Sequence, residues 1–180
     1  SDTVLTVSGG KLTVSQSYEG LEAETLTVSG GNISVTSSDD GLNATGQSPV
    51  MTINGGALFV NASGDGLDSN GNIIMTGGTV IVAGPVSNGD GALDCGDSGN
   101  SIQIDGGLLV AYGSSGMAEY PSADKSSQYS IGIGQSFSAG DTVQIKISDG
   151  DTVAVFTLKK NAGSVCVSSP KLSEGDTVYV

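Results

Sequence analysis

Between residues 19 and 94 the chain carries four pairs of oxygen-bearing side chains: Glu19 with Glu22, Asp40 with Asn43, Asp65 with Asp68, and Asp90 with Asp94. Each pair opens on an acid followed by glycine, in Glu19-Gly20-Leu21, Asp40-Gly41-Leu42, Asp65-Gly66-Leu67 and Asp90-Gly91-Ala92-Leu93. Two chemistries use such pairs. A glycosidase needs one carboxyl as acid and another as base or nucleophile, so it needs two carboxyls in different environments. A repeated ladder offers no such contrast. A hard divalent cation needs several oxygens from carboxylates, amides, carbonyls and water, and this set suits calcium better than zinc or copper. The pattern therefore points to calcium held by Glu19, Glu22, Asp40, Asn43, Asp65, Asp68, Asp90 and Asp94. The competing reading is that acid-glycine pairs are ordinary solvated turns. Asp39, Asn70 and Asp97 lie near the series but outside its repeat, and read as turn residues.

The elements that would position these side chains follow from a second repeat. Double glycines stand at Gly9-Gly10, Gly30-Gly31, Gly55-Gly56, Gly77-Gly78 and Gly106-Gly107. Four and two residues before each pair are Leu5 and Val7, Leu26 and Val28, Met51 and Ile53, Ile73 and Met75, and Ile102 and Ile104. Two and four residues after it are Leu12 and Val14, Ile33 and Val35, Leu58 and Val60, Val80 and Val82, and Leu109 and Ala111. Strict alternation marks strands with one face buried. A third short segment follows each acidic turn, as in Leu42-Asn43-Ala44. Three strands per near-constant repeat describe a coil of a parallel β-helix, with turns about 4.8 Å apart. An all-β fold of about five coils over residues 1–118 is expected, with no helix. An antiparallel sandwich would explain the alternation but not the matched columns.

Beyond residue 118 the period changes. Segments Tyr129 to Phe137, Thr142 to Ile147, Thr152 to Leu158, Val165 to Val167 and Thr177 to Val180 alternate like antiparallel strands, and Asp149-Gly150 signals a hairpin. A stack of coils needs its end covered, so residues 119–180 read as a C-terminal β cap.

The charge balance excludes some functions. The net charge is −13, and residues 1–118 contain 12 acids against Lys11 alone. Such a surface repels nucleic acid and anionic lipid. No apolar run is long enough for a membrane span. The chain enters a repeat at once, which reads as a mature protein or an excised fragment. Cys95 and Cys166 read as small buried hydrophobes rather than a disulfide. Residues 12–124 hold no Lys, Arg or His, so a groove on the coils lacks the base that a lyase requires. The reading is a protein that is not an enzyme. The apolar row of the first coil, beside Lys11, suggests end-to-end self-association through an open strand edge.

The stretches Ser37-Ser38-Asp39-Asp40-Gly41-Leu42-Asn43-Ala44, Ala62 to Gly71, Gly89-Asp90-Gly91-Ala92-Leu93-Asp94 and Gly113 to Ala118, with Ser168-Ser169-Pro170-Lys171-Leu172, resemble a family of secreted bacterial carbohydrate-binding proteins. The resemblance implies a right-handed parallel β-helix shaped like pectate lyases. It also implies calcium binding, polysaccharide partners (cellulose and acidic pectic glycans), and an extracellular or cell-surface setting. The function so implied is a non-catalytic, calcium-dependent carbohydrate-binding module. A structural spacer or adhesin stalk, or a polysaccharide lyase or hydrolase, are the alternatives.

Overall fold

The computed structural model describes residues 3–96 and 99–180, and among these there is no helix and hence none long and apolar enough to cross a membrane. Strands β1 (Val4–Val14), β2 (Leu21–Ala23), β3 (Thr25–Thr36), β4 (Leu42–Ala44), β5 (Val50–Ile53), β6 (Ala57–Asn61), β7 (Leu67–Ser69), β8 (Asn72–Met75), β9 (Thr79–Ala83), β10 (Leu93–Cys95), β11 (Ile102–Ile104) and β12 (Leu108–Gly113) wind into a β-solenoid. The first face stacks the opening halves of β1 and β3 with β5, β8 and β11. The second stacks their closing halves with β6, β9 and β12. The third is β2, β4, β7 and β10. All of these pairings are parallel.

The apolar columns of the sequence are the interior. Leu26 faces Met51, which faces Ile73, which faces Ile102. Ile33, Leu58, Val80 and Leu109 form a second column. All eight are at most 3% exposed. The corresponding residues of β1 are only half-buried. Corners between the first two faces need the second glycine of each pair: Gly10, Gly31, Gly56, Gly78 and Gly107 lie at φ between 78° and 100°, a region that side chains disfavour.

The solenoid has about four turns rather than five. The fifth repeat supplies β11 and β12 but no third strand, since Ser115-Gly116-Met117 stays irregular. The polar segment that follows covers the edge of β11. Ser122 and Gln128 donate their backbone N–H groups to the carbonyls of Ile102 and Ile104, and Asp105 accepts from the Ser127 amide and hydroxyl.

The C-terminal strands split into two parts. β13 (Ser130–Ile133) and β16 (Ser164–Ser168) extend the second face, β16 pairing antiparallel with both β12 and β13. Cys166 stands opposite Ala111 and ends an interior column; burial pushes its thiol up to about 12. Cys95 is only partly buried, and it forms no disulfide with Cys166. The other part is a sheet of β14 (Thr142–Ile147), β15 (Thr152–Thr157) and β17 (Val178–Tyr179). Its Val143, Ile145, Val153 and Phe156 build a second core with the outward residues Ile81, Val110 and Tyr112 of the second face. The Tyr112 and Phe156 rings stack at 6.0 Å. Part of this unit thus lies against the flank of the solenoid, not only over its end.

Candidate functional site

The third face carries the acidic pairs in register. Glu22 stands opposite Asn43, Asn43 opposite Asp68, and Asp68 opposite Asp94. Their neighbours Leu21, Leu42, Leu67 and Leu93 form a column pointing to the opposite side and packing on the core. Alternation along a strand leaves the middle residue no direction but outward.

The turn acids stand just before these strands. The amide of Gly20 donates to the carbonyl of Asp40, and that of Gly41 to Asp65. Glycine is required there by the closeness of the turns: a Cβ on Gly41 would lie 2.2 Å from Val60 Cγ1 and 2.4 Å from the carbonyl oxygen of Gly66. The side chains tie the turns together as well. Asp40 Oδ1 accepts from the Asp65 amide at 2.8 Å, and Asp65 Oδ1 accepts from the Gly91 amide at 2.5 Å. Each of these carboxylates therefore has one oxygen on the next turn and its second oxygen outside that bond.

The fourth turn departs from the repeat. The Gly66 amide donates to Gly91, not to Asp90, because Ala92 adds a residue before Leu93. Asp90 is displaced by one position, though it still acts on Asp40 and Asp65. The other seven predicted residues follow the repeat. Of the eight, Glu22 is exposed and the rest are partly buried.

Burial and like charge act together on this ledge. Burial is the main cause that raises Asp65 to about 7; the Gly91 amide opposes it, while Asp94, Asp40 and Asp90 add to it. Burial likewise leads in raising Asp68 to about 7, reinforced by Asp40, Asp65, Asp94 and Glu19. Glu19 and Asp40 are raised above the usual carboxylate range, again chiefly by burial. None of the causes acting on these four is a cation. A side-chain hydrogen bond from Asn43 opposes the rise of Glu19, but on this face Glu19 Oε2 and Asn43 Oδ1 are buried without a hydrogen-bond partner, as Asn61 Oδ1 and Ser130 Oγ are elsewhere. Buried acceptors left in that state are costly. Among the described residues no three His, Cys, Asp or Glu side chains are grouped as a metal cage requires.

Some participants were missed by sequence reasoning. Asp39 occurs once, so no column pointed to it, yet it raises Glu19 and Asp40, and the Tyr18 hydroxyl bonds to it. A Cβ on Gly64 would meet both Asp39 Oδ1 and Asp40 Oδ1 within 2.6 Å. Glu24 is buried and serves structure: its Oε1 accepts from the amides of Gln47 and Ser48, holding the loop of the next turn. Asn70 is a turn residue whose side-chain Nδ2 donates to the Thr45 hydroxyl and whose backbone N–H donates to the Ala44 carbonyl. Asp97 lies outside the described residues.

A family profile described as carbohydrate-binding domain-containing protein matches residues 1–171. The chain belongs to this carbohydrate-binding domain-containing family. No curated protein and no solved structure matches the chain. The family makes a carbohydrate the partner, and the match spans the solenoid, its acidic face and nearly all of the C-terminal strands.

Proposed function

We propose that the chain is a non-catalytic module that holds cell-wall polysaccharide, above all acidic glycans, through calcium seated on the third face. The observation that carries this reading is the half-buried row of oxygens on which, among the described residues, no basic side chain acts. Glu19 Oε2 and Asn43 Oδ1 have no partner, and burial together with neighbouring acids raises Asp65 and Asp68 to about 7. A hard divalent ion would relieve both conditions at once. The donor set fits such an ion: Glu19, Glu22, Asp40, Asn43, Asp65, Asp68, Asp90 and Asp94 offer only oxygen.

No three of these acids form a closed cage, so each ion would draw on paired side chains and complete its shell with backbone, amide or water oxygens. Calcium accepts six to eight oxygens, which leaves room for a uronate carboxylate or sugar hydroxyls. The protein's own part is to hold its carboxylates in register, half-shielded from water. A free glycan acid would otherwise be repelled by a chain of net charge −13.

A non-catalytic role is supported by the state of the bases. The half-buried Lys160 has its pKa lowered by burial, which would suit a base. Its Nζ, however, donates to the carbonyls of Ala62 and Gly84, and so serves to clamp two turns. A secreted setting accords with polysaccharide as partner.

Retention of the chain in a polygalacturonate affinity gel tests the proposal. Retention is expected with calcium and lost with chelator, while the melting curve shows the chain still folded. At about a hundredfold excess over Kd, calcium should raise Tm by roughly 5–10 °C. A Tm indifferent to calcium would remove the metal from the reading. Folded protein that retains no glycan in any condition would favour a spacer role.

A further inference from the structure

A second place on the molecule has the chemistry of sugar recognition. A cleft of about 350 Å³ lies between the loop of the fourth turn and the C-terminal unit. Val86, Asn88, Ser115, Ser136, Phe137 and Asn161 line it. No side chain in the lining is charged, in a chain whose net charge is −13. The lining combines an apolar surface (Val86, 56% exposed, and the Phe137 ring) with neutral amides and hydroxyls. A pyranose ring presents that same mixture, with C–H faces and a rim of hydroxyls, and sugar sites meet it with apolar contact plus placed polar groups.

The amides are oriented before any ligand arrives. Asn88 Oδ1 accepts the Ser114 hydroxyl at 2.7 Å, and Asn161 Oδ1 accepts the Ala139 amide at 2.9 Å. With the oxygens so engaged, the Nδ2 groups are the uncommitted donors. The wall is pinned from behind: the Gly163 amide donates to Gly113, Ser164 Oγ donates to Ser114, and Phe137 exchanges backbone bonds with Ala162. Preorganised donors lose little freedom on binding.

We infer that this cleft is a binding subsite for a neutral pyranose unit of a glycan chain, working without calcium. It rests on the carbohydrate-binding reading above but not on the metal. Neither a cation nor a carboxylate lines it, so an ionic sugar gains no charge partner there, and a neutral ring meets no buried charge to desolvate.

The test titrates the full chain, in chelator, with cellopentaose, xylopentaose and mannopentaose. Binding of at least one is expected. Asn88→Asp and Asn161→Asp keep the internal acceptor and remove the outward donors, so each should weaken that binding by about fivefold to tenfold. Ser136→Trp, at an exposed position outside both internal bonds, should block it by filling the cleft. Calcium-dependent retention in polygalacturonate should be unchanged in all three variants. Wild-type affinity in Ser136→Trp, or no neutral pentasaccharide bound in chelator, would overturn the subsite while leaving the acidic ledge intact. Neutral binding that survives without any calcium-dependent retention would instead remove the ledge reading and keep this one.

Discussion

Asp65 and Asp68 are the side chains on which the acidic ledge turns, because each is held in a folded environment that favours its proton. Their folded pKa values, near 7, lie above the ordinary value of 3.8. In metal-free protein the folded state therefore binds more protons than the unfolded state between these limits. Stability must fall as pH rises through that window, and the contribution is at its worst above it. The metal-free chain is expected to melt at a lower temperature at pH 8 than at pH 5, and the calcium-induced rise in Tm should grow over the same range. Asp68→Asn removes the charge while keeping the shape. It should raise the metal-free Tm at pH 8, flatten the pH slope and reduce the calcium effect. Glu19→Gln, at the margin of the row, should do each of these more weakly. Calorimetry in chelator at several pH values separates the cases; a metal-free Tm that climbs with pH would contradict the electrostatic account.

At the scale of the strand and turn, the solenoid is specified by residues whose neighbours are predictable from spacing alone. The columns through Leu26 and Ile33 were legible because alternation gives burial, and recurrence across the double glycines gives register. The pairs Leu26↔Met51 and Ile33↔Leu58 bear out both. Register also placed Glu22, Asn43, Asp68 and Asp94 on one line. The insertion of Ala92 was visible as an extra residue, but only backbone pairing shows that it displaces Asp90. Asp39 and Glu24 were illegible for another reason: each acts once, through a contact that recurs nowhere. The strands of the C-terminal unit were legible, but not their partner, since an alternating segment does not say which surface its apolar side will meet. Glycine offers the cleanest test at this scale. A Cβ on Gly66 would lie 2.2 Å from Val82 Cγ1 and 2.4 Å from the Ala92 carbonyl oxygen, whereas one on Gly9 meets nothing within 4 Å. Gly66→Ala should cost about 1–3 kcal/mol or more by forcing the turns apart. Gly9→Ala should stay within about 0.5 kcal/mol of the parent. Chemical denaturation of the two variants in chelator measures the difference, and equal midpoints would show that the turns do not stack as tightly as described.

At the scale of the whole molecule, a strongly acidic solenoid stands beside the neutral cleft of Asn88 and Asn161, and the two should answer differently to salt. Lys11 is the one basic residue among the first 118, against 12 acids, so the solenoid and a polyuronate repel each other at any distance that salt does not screen. At about 0.15 M ionic strength screening acts over roughly 8 Å. Sodium chloride can therefore weaken repulsion, but it forms no bond between two carboxylates. On the proposed reading calcium would do both, since an ion held by Asp65 and Asp68 would have coordination positions left for the glycan. Retention in polygalacturonate is accordingly expected at low calcium concentration and moderate salt. It should be absent in chelator even when sodium chloride is raised to match or exceed the ionic strength. Binding of a neutral pentasaccharide should be insensitive to both changes, because nothing charged lines that cleft. If high sodium chloride alone restores polyuronate retention in chelator, then screening rather than bridging governs the interaction. The ledge would then be a source of repulsion that the glycan tolerates, and its carboxylates would have no part in holding it.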